Sequence, residues 1–201
     1  SNILLDDQMN PKISDFGMAR TFAMNELEAN TNRIVGTQYV YKTHLLYGYM
    51  SPEYVMNGVV SLKSDVYSFG VLVLEIISSK KNNGCYDTER PLNLVGYAWQ
   101  LWNEGKGLEL IDPSLDESCS PEEVIRCIHV GLLCVQDKAV DRPTMSDVVS
   151  MLSNDTMGLP TPKQPAFFIN ISSDYQEPEV TEIKLEICSV NDVTISGMEG
   201  R

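Results

Sequence analysis

Hydrophobic and polar positions divide the chain into a short extended beginning, a long polar stretch and a mainly helical remainder. Strand-like runs at residues 3–5 and 12–14 flank the turn-forming stretch 6–11, which predicts an N-terminal β-hairpin. Residues 17–52 show no sustained hydrophobic period, so we expect a long loop there. Loops of that length inside a compact domain are usually functional or disordered.

Four helices are predicted after Pro52. The run 65–79 is apolar on nearly all sides, which is typical of a buried central helix. A second helix starts behind Asn93 as its N-cap, and capping boxes at residues 120–123 and 144–147 open two more. The expected buried faces of these three helices are, in order, Leu94, Ala98, Leu101 and Trp102; Val124, Ile128, Leu132 and Val135; and Met145, Val148, Val149 and Leu152.

Beyond residue 153 the composition changes. Residues 155–201 hold eight acids against three bases and are rich in proline near their start. Such a segment cannot bury enough apolar surface to offset the entropy of ordering. We therefore predict a domain over residues 1–153 and a mostly flexible acidic tail over residues 154–201.

The net charge indicates which partners are disfavoured, and the cysteine spacing indicates the redox compartment. The net charge of −13, from 28 acids and 15 bases, argues against nucleic acid or an anionic membrane surface as the main partner. Five widely spaced cysteines without a CxxC pair favour free thiols in a reducing compartment over disulfides or zinc. The longest apolar stretch, 71–77, is interrupted by Glu75, so no membrane span is predicted.

Candidate chemistry lies at the two ends of the predicted hairpin. Asp15-Phe16-Gly17 follows the second strand, and Asn2 lies on the far side of the first. A hairpin that joins these ends brings a carboxamide oxygen and a carboxylate side by side. Both are hard oxygen ligands suited to Mg²⁺ that bridges nucleotide phosphates. Without further context, Asn2 and Asp15 would be ordinary turn and cap residues.

The order of motifs supplies that context. The motif order resembles the protein kinase signature set: an Asn, a hairpin, Asp-Phe-Gly, a long loop and then Ser51-Pro52-Glu53. In that family the last motif is usually Ala-Pro-Glu. Residues 65–70 resemble the start of the central helix of that family, and Asp141-Arg142-Pro143 its late arginine motif. The resemblance covers residues 1–153 and implies a protein-kinase-like C-lobe, mainly α-helical with a short N-terminal β-hairpin.

The amino-acid sequence at residues 48–54, 64–75 and 141–145 is similar to that of plant receptor-like serine/threonine kinases. The ending 188–201 resembles the tail of their S-domain, lectin-type branch. This resemblance implies a place on the cytosolic side of a plasma-membrane receptor. The implied partners are protein substrates and other signalling proteins, and the implied cofactors are ATP and Mg²⁺.

The resemblance also assigns roles to single residues. Asn2 and Asp15 would hold Mg²⁺, and Phe16 and Gly17 would complete the nucleotide-binding motif, with Phe16 packed in a hydrophobic spine. Structural roles and candidate phosphorylation sites follow in the same way: a Glu53–Arg142 ion pair, a hydrogen bond from Asp65 to the catalytic-loop backbone, and phosphorylation at Thr31 or Thr37.

Simpler interpretations stand beside these roles. Asp65 could be an acid that stabilises the start of a helix through the helix dipole. We expect His44 and His129 to be non-catalytic and Cys127 and Cys134 to be small buried groups. Trp99 and Trp102 are expected in helix packing.

Two departures from the family pattern bear on activity. The catalytic Asp, the Gly-rich loop and the phosphate-pairing Lys would all precede Ser1, and the chain opens with neither Met nor a leader, so we expect a fragment that is inactive alone. Nine residues, 38–46, separate Gly36-Thr37 from Tyr47-Gly48 where a protein substrate would dock. Three interpretations remain open: a kinase C-lobe, a non-catalytic interaction module that competes with the full receptor, and an artefact of gene prediction.

Overall fold

The N-terminal hairpin forms as predicted. The computed structural model describes residues 2–14, 16, 28–31, 34, 39–41, 44–46, 48–84, 86, 93–115 and 120–165. Strands β1 (Ile3–Leu5) and β2 (Pro11–Ile13) pair antiparallel with Ile3 opposite Ile13. The second strand begins one residue earlier than expected, and both strands are exposed.

The stretch expected to be a long loop contains short elements. Strand β3 (Glu28–Asn30) pairs antiparallel with β6 (Val59–Ser61), while β4 (Tyr39–Tyr41) pairs with β5 (His44–Leu46). Helix α1 (Pro52–Asn57) has Pro52 in its first turn and ends at Gly58, whose φ is 66°. The expectation of a continuous long loop was wrong at these residues because three-residue strands show no period. Pairing of β3 with β6 also joins residues far apart in sequence.

All four predicted helices form and build the core. They are α2 (Leu62–Ser78), α3 (Leu94–Asn103), α4 (Pro121–Cys134) and α5 (Met145–Ser153). Short 3₁₀ helices lie at Gly107–Leu110, Pro113–Leu115 and Ala139–Asp141. The expectation of a mainly helical domain behind an N-terminal hairpin is confirmed. None of the helices in the described part of the chain is long and apolar enough to cross a membrane.

The α2–α4 contact is the centre of the core. A Cβ at Gly70 would come within 2.6 Å of the Cys134 Cβ and 2.9 Å of the Gly131 carbonyl oxygen, so only glycine lets the two helices approach this closely. The buried cluster beside this contact includes residues of α2, α3 and α4 and the residue that directly follows α4: Tyr67, Val71, Leu74, Leu94, Val95, Ala98, Ile128, Leu132 and Val135. Trp99 and Trp102 pack against this core, as expected.

Helix α2 differs from its prediction in two respects. It begins at Leu62, three residues early, because Ser61 and Ser64 form a reciprocal cap at its start. The expectation of burial on all sides is wrong, since Ile76 is 62% exposed while Leu74 and Ile77 face the core. The helix is buried on the side that meets α3 and α4.

The three predicted caps have different outcomes. Asn93 accepts a hydrogen bond from the Gly96 N–H at 2.8 Å, and Thr144 and Asp147 form a complete capping box, so both predictions are confirmed. The prediction of a capping box at Ser120 was wrong. Its hydroxyl donates to the Glu122 carboxylate at 2.6 Å and caps no backbone N–H, although α4 still begins at Pro121.

The buried side of α5 also differs from the predicted face. Val148 and Met151 are buried, but Val149 is 59% exposed and Met145 39% exposed. Leu152 packs against the core, so the covered side of α5 contains Val148, Met151 and Leu152, and the prediction holds for Val148 and Leu152 only.

A C-terminal strap, residues 154–165, runs along α4. The Arg126 guanidinium donates to the carbonyl oxygens of Met151, Asn154 and Met157 at 2.6, 2.5 and 3.1 Å. Further along, His129 Nε2 donates to the Pro160 carbonyl at 2.8 Å. The predicted flexible tail therefore begins with a bound segment; residues 166–201 lie outside the described part of the chain.

Candidate functional site

The hairpin turn is held by one carboxylate. Asp6 accepts hydrogen bonds from the backbone N–H groups of Asn10 and Gln8 at 2.8 and 3.0 Å, and pairs with Lys12 at 3.2 Å. The backbone hydrogen bond from Asn10 has the largest effect and lowers the pKa of Asp6. Desolvation opposes it, and further hydrogen bonds from the Asn10 side chain, Lys12 and Gln8 also lower this pKa. Asp6 thereby fixes the turn and, through it, the register of the two strands.

That register brings the two ends of the hairpin together. The Ser14 backbone N–H donates to the Asn2 carbonyl at 2.9 Å, and its hydroxyl donates to the same oxygen at 3.3 Å. Asn2 therefore lies across from the residue that directly precedes Asp15. Asp15 and Gly17 themselves lie outside the described residues.

Phe16 lies away from the core. Phe16 is 67% exposed, and its packing into a hydrophobic spine stays a prediction. The neighbouring hairpin is exposed as well, including its apolar residues Ile3, Leu5 and Ile13.

Glu53 and Arg142 form a bidentate ion pair between α1 and the loop before α5. Arg142 Nη1 and Nη2 donate to Glu53 Oε1 and Oε2, each at 2.8 Å. The arginine side chain is fully buried, and that of Glu53 is 16% exposed. This is the geometry in which a guanidinium binds a carboxylate most strongly.

The remaining donors of Arg142 are also used. Nε donates to the Gln136 carbonyl at 2.8 Å, Nη1 to that of Lys63 at 3.0 Å, and Nη2 to that of Asp137 at 3.0 Å. Together with the two bonds to Glu53, these account for all five N–H groups of the guanidinium. The buried charge is therefore fully hydrogen-bonded.

The surroundings of the pair shift two pKa values. Burial alone would raise the pKa of Glu53, but the hydrogen bond and charge of Arg142 hold it below its ordinary value. Tyr67, whose ring lies 5.1 Å from the Arg142 Cζ, is buried, and desolvation raises its pKa. Glu53 is thus ionised and Tyr67 neutral at pH 7.

Two residues not singled out from the sequence complete this cluster. The Ser64 hydroxyl donates to Glu53 Oε1 at 3.0 Å, and the Lys63 ammonium donates to the Arg142 carbonyl oxygen. Both belong to the first turn of α2. The only signal in the sequence is the pair of serines Ser61 and Ser64, which resembles a weak capping box.

Asp65 is exposed in the first turn of α2, and partial desolvation raises the pKa of its carboxyl. No partner for this carboxylate lies among the residues that the structure describes. Asp65 thus lies where a helix-start acid is expected, and its role as the anchor for a catalytic loop stays a prediction.

Of the two candidate phosphorylation sites, Thr31 lies among the described residues. The Thr31 backbone N–H donates to the Gly58 carbonyl at 2.8 Å, beside the β3–β6 pair, and Thr31 is half-buried. A Cβ at Gly58 would overlap the Thr31 carbonyl at 2.0 Å, so glycine is required there. Thr37 lies outside the described residues. Strands β4 and β5 lie within the extra segment 38–46.

Two of the residues expected to be non-catalytic, His129 and Cys134, have roles in packing. The His129 ring contacts the Trp102 ring at a centroid distance of 4.7 Å and binds the strap. Cys134 is buried, and desolvation raises the pKa of its thiol to about 12, which makes it a poor nucleophile. His44 lies in β5. Among the described residues, no group of three or more His, Cys, Asp or Glu could hold a metal ion.

Known families match both parts of the chain. A family model described as protein tyrosine and serine/threonine kinase matches residues 1–152, and a second, described as a domain of unknown function, matches residues 154–201.

Curated relatives match the whole chain. The cysteine-rich receptor-like protein kinase 10 of Arabidopsis thaliana is 53% identical over 203 residues, which cover 100% of this chain and 29% of that protein. A G-type lectin S-receptor-like serine/threonine-protein kinase of the same plant is 52% identical over 202 residues, covering 100% and 22%. The predicted resemblance to plant receptor-like kinases, S-domain members included, is confirmed. The chain spans between a fifth and a third of the length of these relatives.

A solved structure supports the fold. The pseudokinase domain of BIR2, an immune regulator of the RLK/Pelle family, superposes with a TM-score of 0.57 at 27% sequence identity. The match covers 76% of this chain and 41% of that one.

Proposed function

Since this chain belongs to the protein kinase family, we propose that it is the C-lobe of a receptor-like serine/threonine kinase. The complete protein would transfer the γ-phosphoryl group of ATP to hydroxyl groups of proteins, on the cytosolic side of the plasma membrane. The catalytic base, the Gly-rich loop and the ATP-binding Lys would come from residues outside this chain.

One observation carries the proposal. The hydrogen bond from Ser14 N–H to the Asn2 carbonyl joins the ends of the hairpin, so that Asn2 lies across from the residue before Asp15. A carboxamide and a carboxylate suit Mg²⁺ as hard oxygen donors, and we propose that Asn2 and Asp15 hold it. When bound, the metal neutralises charge on the ATP phosphates. Phe16 and Gly17 complete this part of the nucleotide site.

The Glu53–Arg142 pair supports a second part of the proposal. Phosphoryl transfer depends on positioning of the substrate hydroxyl. The pair fixes the segment 51–53 to the helical domain through two charge-assisted bonds. We propose that the pair thereby orders the surface where a protein substrate binds. We also propose that Thr31 or Thr37 is a site of phosphorylation.

A non-catalytic interaction module is the second candidate. It is favoured by the likeness to a solved pseudokinase domain and by the nine residues 38–46 that interrupt the activation segment. Such a module would bind the partners of an active receptor and transfer no phosphate.

A phosphotransfer assay separates the two candidates. The complete cytosolic domain that ends with these 201 residues is incubated with Mg²⁺, labelled ATP and casein. We expect transfer by the wild type and a loss of about a hundredfold or more in Asp15→Asn, because the metal-binding carboxylate is removed. Asp7→Asn, in the exposed hairpin turn, is the matched control and should retain activity.

Two outcomes would contradict the kinase proposal. No transfer by the wild-type domain would favour the interaction module, and equal activity in Asp15→Asn would exclude the proposed metal ligand. For the isolated 201-residue chain we expect no measurable ATP turnover.

A further inference from the structure

The strap is bonded to both ends of the loop that carries Arg142. We call residues 136–142 the Arg142 loop. Its first residue, Gln136, is 2% exposed, and its side-chain amide binds Lys163 twice: Oε1 accepts from the Lys163 N–H at 2.9 Å, and Nε2 donates to the Lys163 carbonyl at 3.0 Å. A β-bridge between Gln136 and Pro165 extends this contact.

Lys163 also reaches the other end of the loop. Its ammonium Nζ lies 2.8 Å from Asp141 Oδ1, next to Arg142 in the chain. The hydrogen bond from Lys163 lowers the pKa of Asp141, although desolvation acts in the opposite direction. One residue of the strap therefore contacts the Arg142 loop at residues 136 and 141.

The loop in turn positions the guanidinium. The carbonyl oxygens of Gln136 and Asp137 accept from Arg142 Nε and Nη2 at 2.8 and 3.0 Å. These bonds fix the plane in which the guanidinium faces the Glu53 carboxylate. A continuous set of hydrogen bonds thus runs from Lys163 through Gln136 and Arg142 to Glu53.

We propose that the strap is a positioning element that holds Arg142 in place for Glu53, with Gln136 and Lys163 as the residues through which it acts. This gives a role to the first twelve residues of the region that matches a domain of unknown function. The consequence for phosphoryl transfer rests on the proposed function. The coupling between the strap and Glu53 does not.

The structure offers a matched contact to the strap that lies on α4, outside the Arg142 loop. His129 makes one hydrogen bond to the strap, at Pro160, and is seven residues before Gln136. Its ring also contacts Trp102. His129→Phe removes the bond to the strap and retains an aromatic ring against Trp102. Gln136→Met removes the amide bonds to Lys163 and the bond from Nε2 to the Leu132 carbonyl. It keeps a side chain of similar length and leaves the Gln136 backbone carbonyl in place.

Amide hydrogen exchange on the full 201-residue chain measures the coupling without any need for activity. The reporters are the N–H groups of Val55 and Gly58, which donate to the carbonyls of Ser51 and Tyr54. We expect Gln136→Met, and a truncation after residue 153, to speed their exchange about tenfold or more relative to amides in α3. His129→Phe and a truncation after residue 165 should leave it unchanged.

Several results would overturn the proposal. Equal acceleration at the reporters and in α3 would mean that the strap only stabilises the whole fold. Unchanged reporters after truncation at residue 153 would mean that it does not act on Glu53 at all. If Gln136→Met or this truncation fails to fold, Lys163→Met decides. This variant removes only an exposed ion pair, and we expect about a threefold acceleration that disappears at high salt; no acceleration contradicts the proposal.

The phosphotransfer assay is then repeated with the same variants in the complete cytosolic domain. If the wild-type domain is inactive while the exchange result holds, the proposed function fails and the coupling stands. If the domain is active and the reporters do not respond, the coupling fails and the proposed function stands.

Discussion

At the scale of single residues, Arg142 illustrates how a buried charge is tolerated. Removal of a guanidinium from water is costly, and the cost is offset only if every donor finds an acceptor. Here one carboxylate and three carbonyl oxygens bind all five N–H groups. A lysine at this position would supply only a compact ammonium, which cannot match the two oxygens of Glu53 bidentately.

We predict that Arg142→Met lowers the free energy of unfolding by about 3–5 kcal/mol, because it leaves the largely buried Glu53 carboxylate without its counter-charge. Urea denaturation followed by circular dichroism gives the value. The double variant Glu53→Met/Arg142→Met should cost less than the sum of the single variants. Lys106→Met, in the exposed pair with Glu104, is the control and should change little. Similar losses at both sites would show that burial of the pair contributes nothing.

At the scale of elements, the starts of α4 and α5 show that one sequence signature can have two outcomes. Both have a hydroxyl residue followed three positions later by an acid. Thr144 accepts from the Asp147 N–H at 3.2 Å, whereas Ser120 donates to the neighbouring Glu122 carboxylate. Pro121 and the helix dipole suffice to begin α4 without a side-chain cap.

Thr144→Ala should therefore destabilise the protein by about 1 kcal/mol, because one orphan N–H of α5 loses its acceptor. Ser120→Ala should have a much smaller effect, since the Ser120 hydroxyl caps no backbone group. Thermal unfolding of the two variants, measured side by side, tests the difference. Equal losses would mean that the Ser120 hydroxyl caps α4 in solution.

At the scale of the whole molecule, carboxylates hold the fold at several separate places. Hydrogen bonds from Ser79 and then Ser114 lower the pKa of Asp112 to about 2. The pKa values of Asp6, Asp141, Asp147 and Glu53 are also lowered, which the described contacts explain. A carboxyl with a folded pKa below its unfolded value binds its proton more weakly in the folded state, so it stabilises the fold only while it is ionised.

This predicts a loss of stability in acid. The contribution of these carboxyls is complete above about pH 4.5 and is lost as the pH falls through the folded pKa values, toward about 2 for Asp112. We expect the melting temperature to fall steeply across this window. Asp112→Asn should melt below the wild type at pH 6, with a difference that shrinks toward pH 2. A difference that stays constant with pH would exclude ionisation of Asp112 as its source.

The sequence by itself determined the features that depend on neighbours along the chain. The β1–β2 hairpin, the four helices and the caps at Asn93 and Thr144 follow from turn formers, apolar spacing and short-range hydrogen bonds. The order of motifs also identified the family. It further paired Glu53 with Arg142, residues 89 positions apart that the structure joins.

Only the tertiary structure decided the features that depend on what covers a residue. Ile76 and Val149 are exposed although their pattern is apolar, because α2 and α5 are each covered on one side. Gln136 looks like an ordinary polar residue at the end of a helix, and its partner Lys163 is 27 positions away in a tail expected to be flexible. Whether a polar side chain is solvated or buried depends on contacts between distant segments, and local patterns carry no information about those contacts.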